Sequence, residues 1–367
     1  MRVRTALLLV PLFLLAACGG GSDPEVLEDA ESTTDASEDE GEEDASNAEE
    51  ADAEEAATED TADAEEAAEE DDTAEEAADG SDDAGGDEPT LPVTMVDADG
   101  NEVTVEDTSR IVSLTGTTTE IIHALDLLDQ VVAVDTSSIF PEEATELPDV
   151  GYQRALNAEG IIAMEPTLVI GTEAAGPPEV IAQLRDTGVP TLRLAHEDSL
   201  DTPPARIRDI ATALGVPERG EELAAEVEAD IAAALERADE QPSEPRAAFI
   251  YLRGPETILL GGAGSVSEVM LEAAGAIDAG AEAGIEGIVP LTPEALAEAA
   301  PDVIVVPAAS LGSAGGVEGI LALPGVAQTP AGEAGRVVAV DDGALLGLGP
   351  RTAEALEALI DQLHAPG

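Results

Sequence analysis

The chain has no lysine and no tryptophan, and its 367 residues include 1 cysteine, 2 tyrosines and 3 histidines. Without lysine there is no phosphate-gripping P-loop. A lone cysteine closes no internal disulfide. His123, His196 and His364 share no metal-ligand spacing. His123 falls inside an amphipathic stretch and His364 lies near the C-terminus, which leaves His196, in a loop after a strand, as the one placed to substitute as a ligand. There is no Gly-x-Ser-x-Gly elbow and no usable Cys/His dyad. The glycine-rich Gly261-Gly-Ala-Gly-Ser265 lacks the Gly-x-Gly-x-x-Gly register that cradles a dinucleotide, and it reads as a turn before a helix. The expectation is a protein that is not an enzyme.

Positive charge is scarce as well. The 14 basic residues, all arginine, face 81 acids, for a net charge of -67. This balance excludes nucleic acid as a partner. It also predicts a chain that repels itself in dilute buffer and is relieved when the Debye length shrinks to about 3 Å near 1 M salt.

What is present begins with Arg2 and Arg4, an apolar run over 6–14 and small residues before Cys18. That is the form of a secretory signal peptide over 1–17. No other stretch approaches the roughly 20 continuous apolar residues of a membrane span. Leu15-Ala16-Ala17-Cys18 resembles the lipobox of bacterial lipoproteins, which implies lipidation of Cys18. The chain is then exported and anchored on the outer face of the cytoplasmic membrane, the periplasmic face where an outer membrane exists. Residues 18–90 are mostly Asp, Glu, Ala, Ser, Thr and Gly, with too little apolar surface to offset chain entropy, and read as a disordered acidic tether.

A hairpin over 93–105, turning at Gly100-Asn101, opens the globular part. Strands are expected at 111–114, 131–135, 168–170 and 191–194, alternating with helices at 119–128, 157–163 and 178–187. Such alternation predicts an α/β fold with parallel strands. These elements make an N-terminal lobe, 91–203. Residues 204–244 are largely helical, interrupted at Gly215-Val216-Pro217, and one long helix over 218–238 bridges to a C-terminal lobe, 245–367. That lobe repeats the pattern, with strands at 247–252, 257–260, 303–306 and 337–340 and helices at 266–274, 293–299 and 351–364. Glu159 to Ile170 aligns without gaps to Glu294 to Val305: a helix, a proline that stops it and an apolar strand.

Both tyrosines occur in the same tripeptide shape, Tyr152-Gln153-Arg154 and Tyr251-Leu252-Arg253, one per lobe. In extended backbone, residues two apart share a side, so each guanidinium can lie beside its phenol and favour the phenolate. A phenolate is a hard oxygen donor suited to Fe(III), and tyrosine is a known ligand of haem iron. The arginines suit propionate carboxylates. The same residues also read as a loop tyrosine and a strand-end tyrosine with satisfied hydroxyls.

The segments from Arg110 through Thr115-Gly-Thr-Thr-Thr-Glu120, Val150-Gly-Tyr152-Gln-Arg154 to Glu159, Ala175-Gly-Pro-Pro178 and Leu346-Gly-Leu-Gly-Pro-Arg351 together resemble the haemin-binding proteins of bacterial haem ABC importers. The resemblance runs from about Arg110 to the C-terminus. It implies two Rossmann-like βα lobes joined by a single backbone helix, and haem as transported ligand rather than catalytic cofactor. It implies haem iron ligated by Tyr152 and Tyr251, with Arg154, Arg253 and Arg351 as partners of phenolate or haem. Family members with histidine at the position of Tyr152 differ from this chain, which leaves two phenolates or one phenolate and water as the coordination. The resemblance further implies that Glu159 and Glu294 dock on an ABC permease that works with its ATPase. The same fold also serves cobalamin and Fe(III)-siderophore binding proteins, the alternative reading.

Overall fold

Short aliphatic runs without a charged member become buried parallel strands, because both faces of such a sheet are covered. In the computed structural model, which describes residues 89–254 and 256–365, this holds for β3 (Ile111–Ser113) and β5 (Leu168–Thr172), every residue of which is buried. The expected signal peptide, Cys18 and the tether up to residue 88 lie outside the described residues.

The chain first forms the antiparallel pair β1 (Val93–Val96) and β2 (Glu102–Val105). The Asp97 carboxylate shapes its turn by accepting the amides of Asp99 and Asn101. Arg185 binds both Asp97 and Asp99, and Arg193 binds Asp99, so the hairpin is fastened to the first lobe. That lobe continues with β3, α1 (Gly116–Ala124), β4 (Val131–Val134), α2 (Ala158–Ile162), β5, α3 (Pro178–Asp186) and β6 (Thr191–Leu194). Its strands form a parallel sheet in the order β4-β3-β5-β6.

Helix α1 begins three residues before the expected start and ends sooner. Its first amide, that of Gly116, donates to the Ser137 hydroxyl at 3.1 Å. A Cβ on Gly116 would stand 2.6 Å from the Ser137 carbonyl oxygen, so the early start depends on glycine. The helix stops before Asp126, which takes a left-handed φ of 53°.

Residues 204–244 resolve into two helices. The first, α4 (Thr202–Ala213), packs on β1 and α1; the second, α5 (Pro217–Asp239), runs roughly 34 Å at 1.5 Å per residue and leads into the second lobe. The buried side of α5 carries Gly220, Ala224, Val227, Ile231, Ala234 and Ala238, spaced three and four apart as one helical stripe demands.

The second lobe runs β7 (Arg246–Arg253), β8 (Thr257–Gly261), α6 (Val266–Ala273), β9 (Ile277–Asp278), α7 (Ala279–Glu282), β10 (Ile288–Pro290), α8 (Pro293–Ala299), β11 (Val303–Pro307), α9 (Ala308–Ala314), α10 (Val317–Leu321), α11 (Pro330–Ala334), β12 (Val337–Val340), α12 (Asp342–Leu346) and α13 (Thr352–Leu363). Its sheet, β10-β8-β7-β11-β12, is mixed: β7, β11 and β12 are parallel, while β8 is antiparallel to both β7 and β10.

The gap-free repeat seen in the sequence is also a repeat of backbone. Glu165 and Ala300, at equivalent places, both take a left-handed φ, 50° and 42°, before Pro166 and Pro301. The strands that follow, β5 and β11, are equally long and wholly buried.

One core spans both lobes. It joins Ile111, Leu168 and Ile170 of the first sheet to the α5 stripe, to Leu356, Leu359 and Ile360 of α13, and to Ala247, Phe249 and Val305 of the second sheet. Strand β7 shows the alternation that a two-sided sheet requires: Ala247 and Phe249 enter this core, while Ala248, Ile250 and Leu252 enter a separate one.

Candidate ligand site

In open α/β sheets, ligands bind beyond the carboxyl ends of the strands, where the strand order reverses. The first sheet reverses at β3, which has β4 on one side and β5 on the other. Tyr152 lies in the connection leaving β4, and Tyr251 and Arg253 lie at the carboxyl end of β7.

The Tyr152 loop is pinned at several points. The Thr136 amide donates to the Gly151 carbonyl at 3.0 Å, and the Val150 amide to the Val134 carbonyl at 2.9 Å. Gly151 has a φ of 98°, and its amide donates to the Asp149 carboxylate at 2.6 Å. On the far side the Gly176 amide donates to the Gln153 carbonyl at 2.8 Å. Val150 and Leu156 are buried on either flank, and Tyr152 between them is left half-buried. Tyr251 is also half-buried, packed against the shared core and registered with Leu259 of β8.

Arg253 does not hydrogen-bond to Tyr251. Its guanidinium lies over the ring of Tyr152, 4.5 Å from the centroid, so one tripeptide's arginine reaches the other tripeptide's tyrosine across the lobes. A long side chain at a strand end prefers an aromatic face to bare solvent.

The arginines of the described residues separate into three groups. Arg185, Arg193, Arg208, Arg219, Arg237, Arg246 and Arg351 each meet a carboxylate. Arg110, Arg206 and Arg336 donate to backbone carbonyls. Among the described residues Arg154 and Arg253 do neither, and both are exposed. Among the described residues, the two arginines with neither a carboxylate nor a backbone carbonyl are those of the two tyrosine tripeptides.

Arg351 is engaged otherwise than expected. Its guanidinium donates to the Glu120 carboxylate at 2.6 Å, approaches Asp341 at 3.1 Å and covers the Phe140 ring at 3.9 Å. Glu120 and Phe140 belong to the first lobe, so Arg351 is a bridge whose charge is already matched. Burial pushes the Glu120 carboxyl above its usual range, and the hydrogen bond from Arg351 opposes that shift without cancelling it. The loop before Arg351 is held by α1 and α4 too. Arg206, whose own pKa burial lowers, donates to the carbonyls of Gly347 at 2.6 Å and Leu348 at 3.0 Å, and Thr117 donates to Gly347 at 3.1 Å. No local spacing assigns a role to Thr117, Glu120, Phe140 or Arg206, since their partners lie more than a hundred residues along the chain.

Glu159 and Glu294 occupy equivalent exposed places, the second residue of α2 and of α8. Asn157 caps α2 through the Glu159 amide at 2.8 Å, and Thr292 caps α8 through the Ala295 amide at 3.1 Å. His196 offers no nitrogen to a ligand: Nε2 meets the Asp209 carboxylate at 3.0 Å and Nδ1 is buried. Among the described residues no three His, Cys, Asp or Glu gather as a metal site.

Two α/β lobes joined through α5, with Tyr152 after the carboxyl end of β4 and Tyr251 and Arg253 at that of β7, make the architecture of a substrate-binding protein. Residues 111–344 match the periplasmic binding protein family, and the chain belongs to it. Members of that family carry substrates for transport rather than transform them. The chain is similar to the solved periplasmic heme-binding protein RhuT from Roseiflexus sp. RS-1 in apo form, with 50% identity, a TM-score of 0.68 and coverage of 70% of this chain and 99% of that one. It is 29% identical over 280 residues to the uncharacterised ABC transporter substrate-binding lipoprotein YvrC of Bacillus subtilis, covering 75% of this chain and 86% of that protein. It is 32% identical over 132 residues to a vitamin B12-binding protein of Pectobacterium atrosepticum, covering 36% of this chain and 47% of that protein.

Proposed function

We propose that the protein captures ferric haem outside the cell membrane and delivers it to the permease of an ABC importer, held at the surface by a lipid on Cys18. The observation that carries this reading is the placement of the chain's only tyrosines, one per lobe, with Arg253 over the Tyr152 ring and bonded, among the described residues, to neither a carboxylate nor a carbonyl. A phenolate from Tyr152 or Tyr251 supplies a hard donor to the iron. Arg154 and Arg253 suit the propionates, since arginine meets a carboxylate through two parallel hydrogen bonds. Binding requires Arg253 to leave the Tyr152 ring, an exchange of a weak stack for a charged partner. Arg351, already matched by Glu120 and Asp341, holds the lobes together instead. The heme-binding structure that shares 50% identity supports the same ligand class.

Glu159 and Glu294, exposed at equivalent places on the two lobes, are the proposed contacts with the permease. Haem titrated into the purified protein tests the ligand: a Soret band that shifts in Tyr152→Ala or Tyr251→Ala is expected. An unchanged spectrum and affinity in the double variant would remove both tyrosines from the site. For delivery, Glu159→Ala with Glu294→Ala is expected to abolish uptake by cells while leaving haem binding intact. The vitamin B12-binding relative favours a corrinoid as the second reading; a chain that takes up cobalamin and gives no Soret band with haem would establish it.

A further inference from the structure

Ile139 and Phe140 are neighbouring large apolar side chains that stay 56% and 37% exposed. Of the six large apolar side chains exposed among the described residues, these are the only two adjacent in sequence. The loop that carries them is held from beneath by a buried polar network. The Asp135 carboxylate, 1% exposed, accepts the Ser137 amide at 3.0 Å, the Ser137 hydroxyl at 2.6 Å and the Ser138 hydroxyl at 2.9 Å. Ser138 meets the Thr119 hydroxyl at 2.8 Å, and Thr119 donates to Ser113 at 2.8 Å. Burying a carboxylate is unfavourable unless its oxygens are satisfied, and here they are satisfied by the backbone and hydroxyls of the loop itself. A loop fixed this firmly with an apolar tip in solvent is a preformed contact.

Its position says which contact. The Thr136 amide bonds to the Gly151 carbonyl at 3.0 Å, so this loop and the Tyr152 loop leave the sheet side by side. From the second lobe, Arg351 covers one side of the Phe140 ring at 3.9 Å, just as Arg253 covers Tyr152 at 4.5 Å. His123 meets the Phe140 ring edge-on, with centroids 6.0 Å apart, and fixes its tilt.

We infer that Ile139 and Phe140 are binding residues for the apolar plane of a tetrapyrrole, contributing to affinity independently of the iron. The inference rests on the haem reading above and deepens it. Tyrosine ligation recognises the metal, the unpaired arginines recognise the carboxylates, and this pair recognises the ring between them. Flat apolar ligands gain from such a surface through area removed from water.

The test uses haem and iron-free protoporphyrin, each titrated into the purified protein and followed by the ligand's own absorbance or fluorescence. Ile139→Ser and Phe140→Ser are each expected to weaken both ligands by about tenfold, equivalent to about 1.4 kcal/mol, without moving the Soret band of bound haem. Phe140→Leu, which keeps an apolar side chain, is expected to bind nearly as the unaltered protein does. Tyr152→Phe is expected to weaken haem and leave the iron-free ring unaffected. Ile139 has no partner to lose, so its variant answers the question even if Phe140→Ser fails to fold. Unchanged affinity for both ligands in Ile139→Ser overturns the inference and leaves the haem reading intact. A loss confined to haem, with a displaced Soret band, also overturns it, because the loop then acts on the iron. An unaltered protein that binds neither ligand defeats the haem reading itself.

Discussion

The guanidinium of Arg253 lies 4.5 Å from the centre of the Tyr152 ring, linking the end of a second-lobe strand to a first-lobe loop. The two residues come from different tripeptides of the same form, so each lobe contributes half of the pair. A contact of this type at an exposed site is worth about 0.5–1 kcal/mol. That is little for the fold, so the proposed role of Arg253 in meeting a propionate can be tested apart from stability.

Arg253→Ala is therefore expected to shift the melting temperature only slightly and to cost affinity for haem. Haem with esterified propionates separates charge recognition from everything else. The unaltered protein is expected to prefer the free acid, and the variant to lose most of that preference. Equal preference in both proteins would show that Arg253 serves only Tyr152.

A pH dependence follows from Glu120. Burial holds its folded pKa above the ordinary value of 4.5. A carboxyl shifted this way contributes stability that is present below its unfolded pKa and lost as pH rises through the folded one. Glu120→Gln removes the titration. Its melting temperature relative to the unaltered protein is expected to improve from about pH 4 to about pH 7, and a constant or worsening gap would contradict the shift.

Gly220 tests the packing of α4 on α5. By helix propensity alone, Gly220→Ala gains about 1 kcal/mol. The new Cβ would stand 2.2 Å from the Cβ of Ala211, however, so the helices must separate. Overpacking of this kind costs about 1–3 kcal/mol, and a net loss of stability in urea is expected.

Salt is the fourth lever. With a net charge of -67, the protein is expected to melt at a higher temperature in about 1 M salt than in about 0.1 M, as the Debye length falls from about 10 to about 3 Å. Equal melting temperatures would mean that repulsion is not felt by the folded part.

The sequence carried most of the architecture because β3, β4, β5, β11 and β12 are uncharged, largely aliphatic runs and its longest helix has an unbroken apolar stripe. It disclosed the repeat down to the proline after Glu165 and Ala300. It did not disclose α7, β9, β10 or α9 to α12, none longer than seven residues, too short for a period to show. The start of α1 was hidden because it depends on Gly116 meeting Ser137. At the site, the tyrosines stood out through rarity, whereas the partnership of Glu120 with Arg351 lacks local spacing and exists only once the lobes are assembled. Nothing in the local sequence of Phe140 points to Arg351, which covers its ring from the other lobe.

The main core is filled from both sheets at once, with α5 and α13 running through it. Neither half is then a domain in its own right. Expressed alone, residues 89–216 would bare Ile111, Leu168 and Ile170 to water and are expected to aggregate rather than fold. The whole protein is expected to melt in one cooperative step, and any motion between the lobes must deform this shared core instead of opening a hinge.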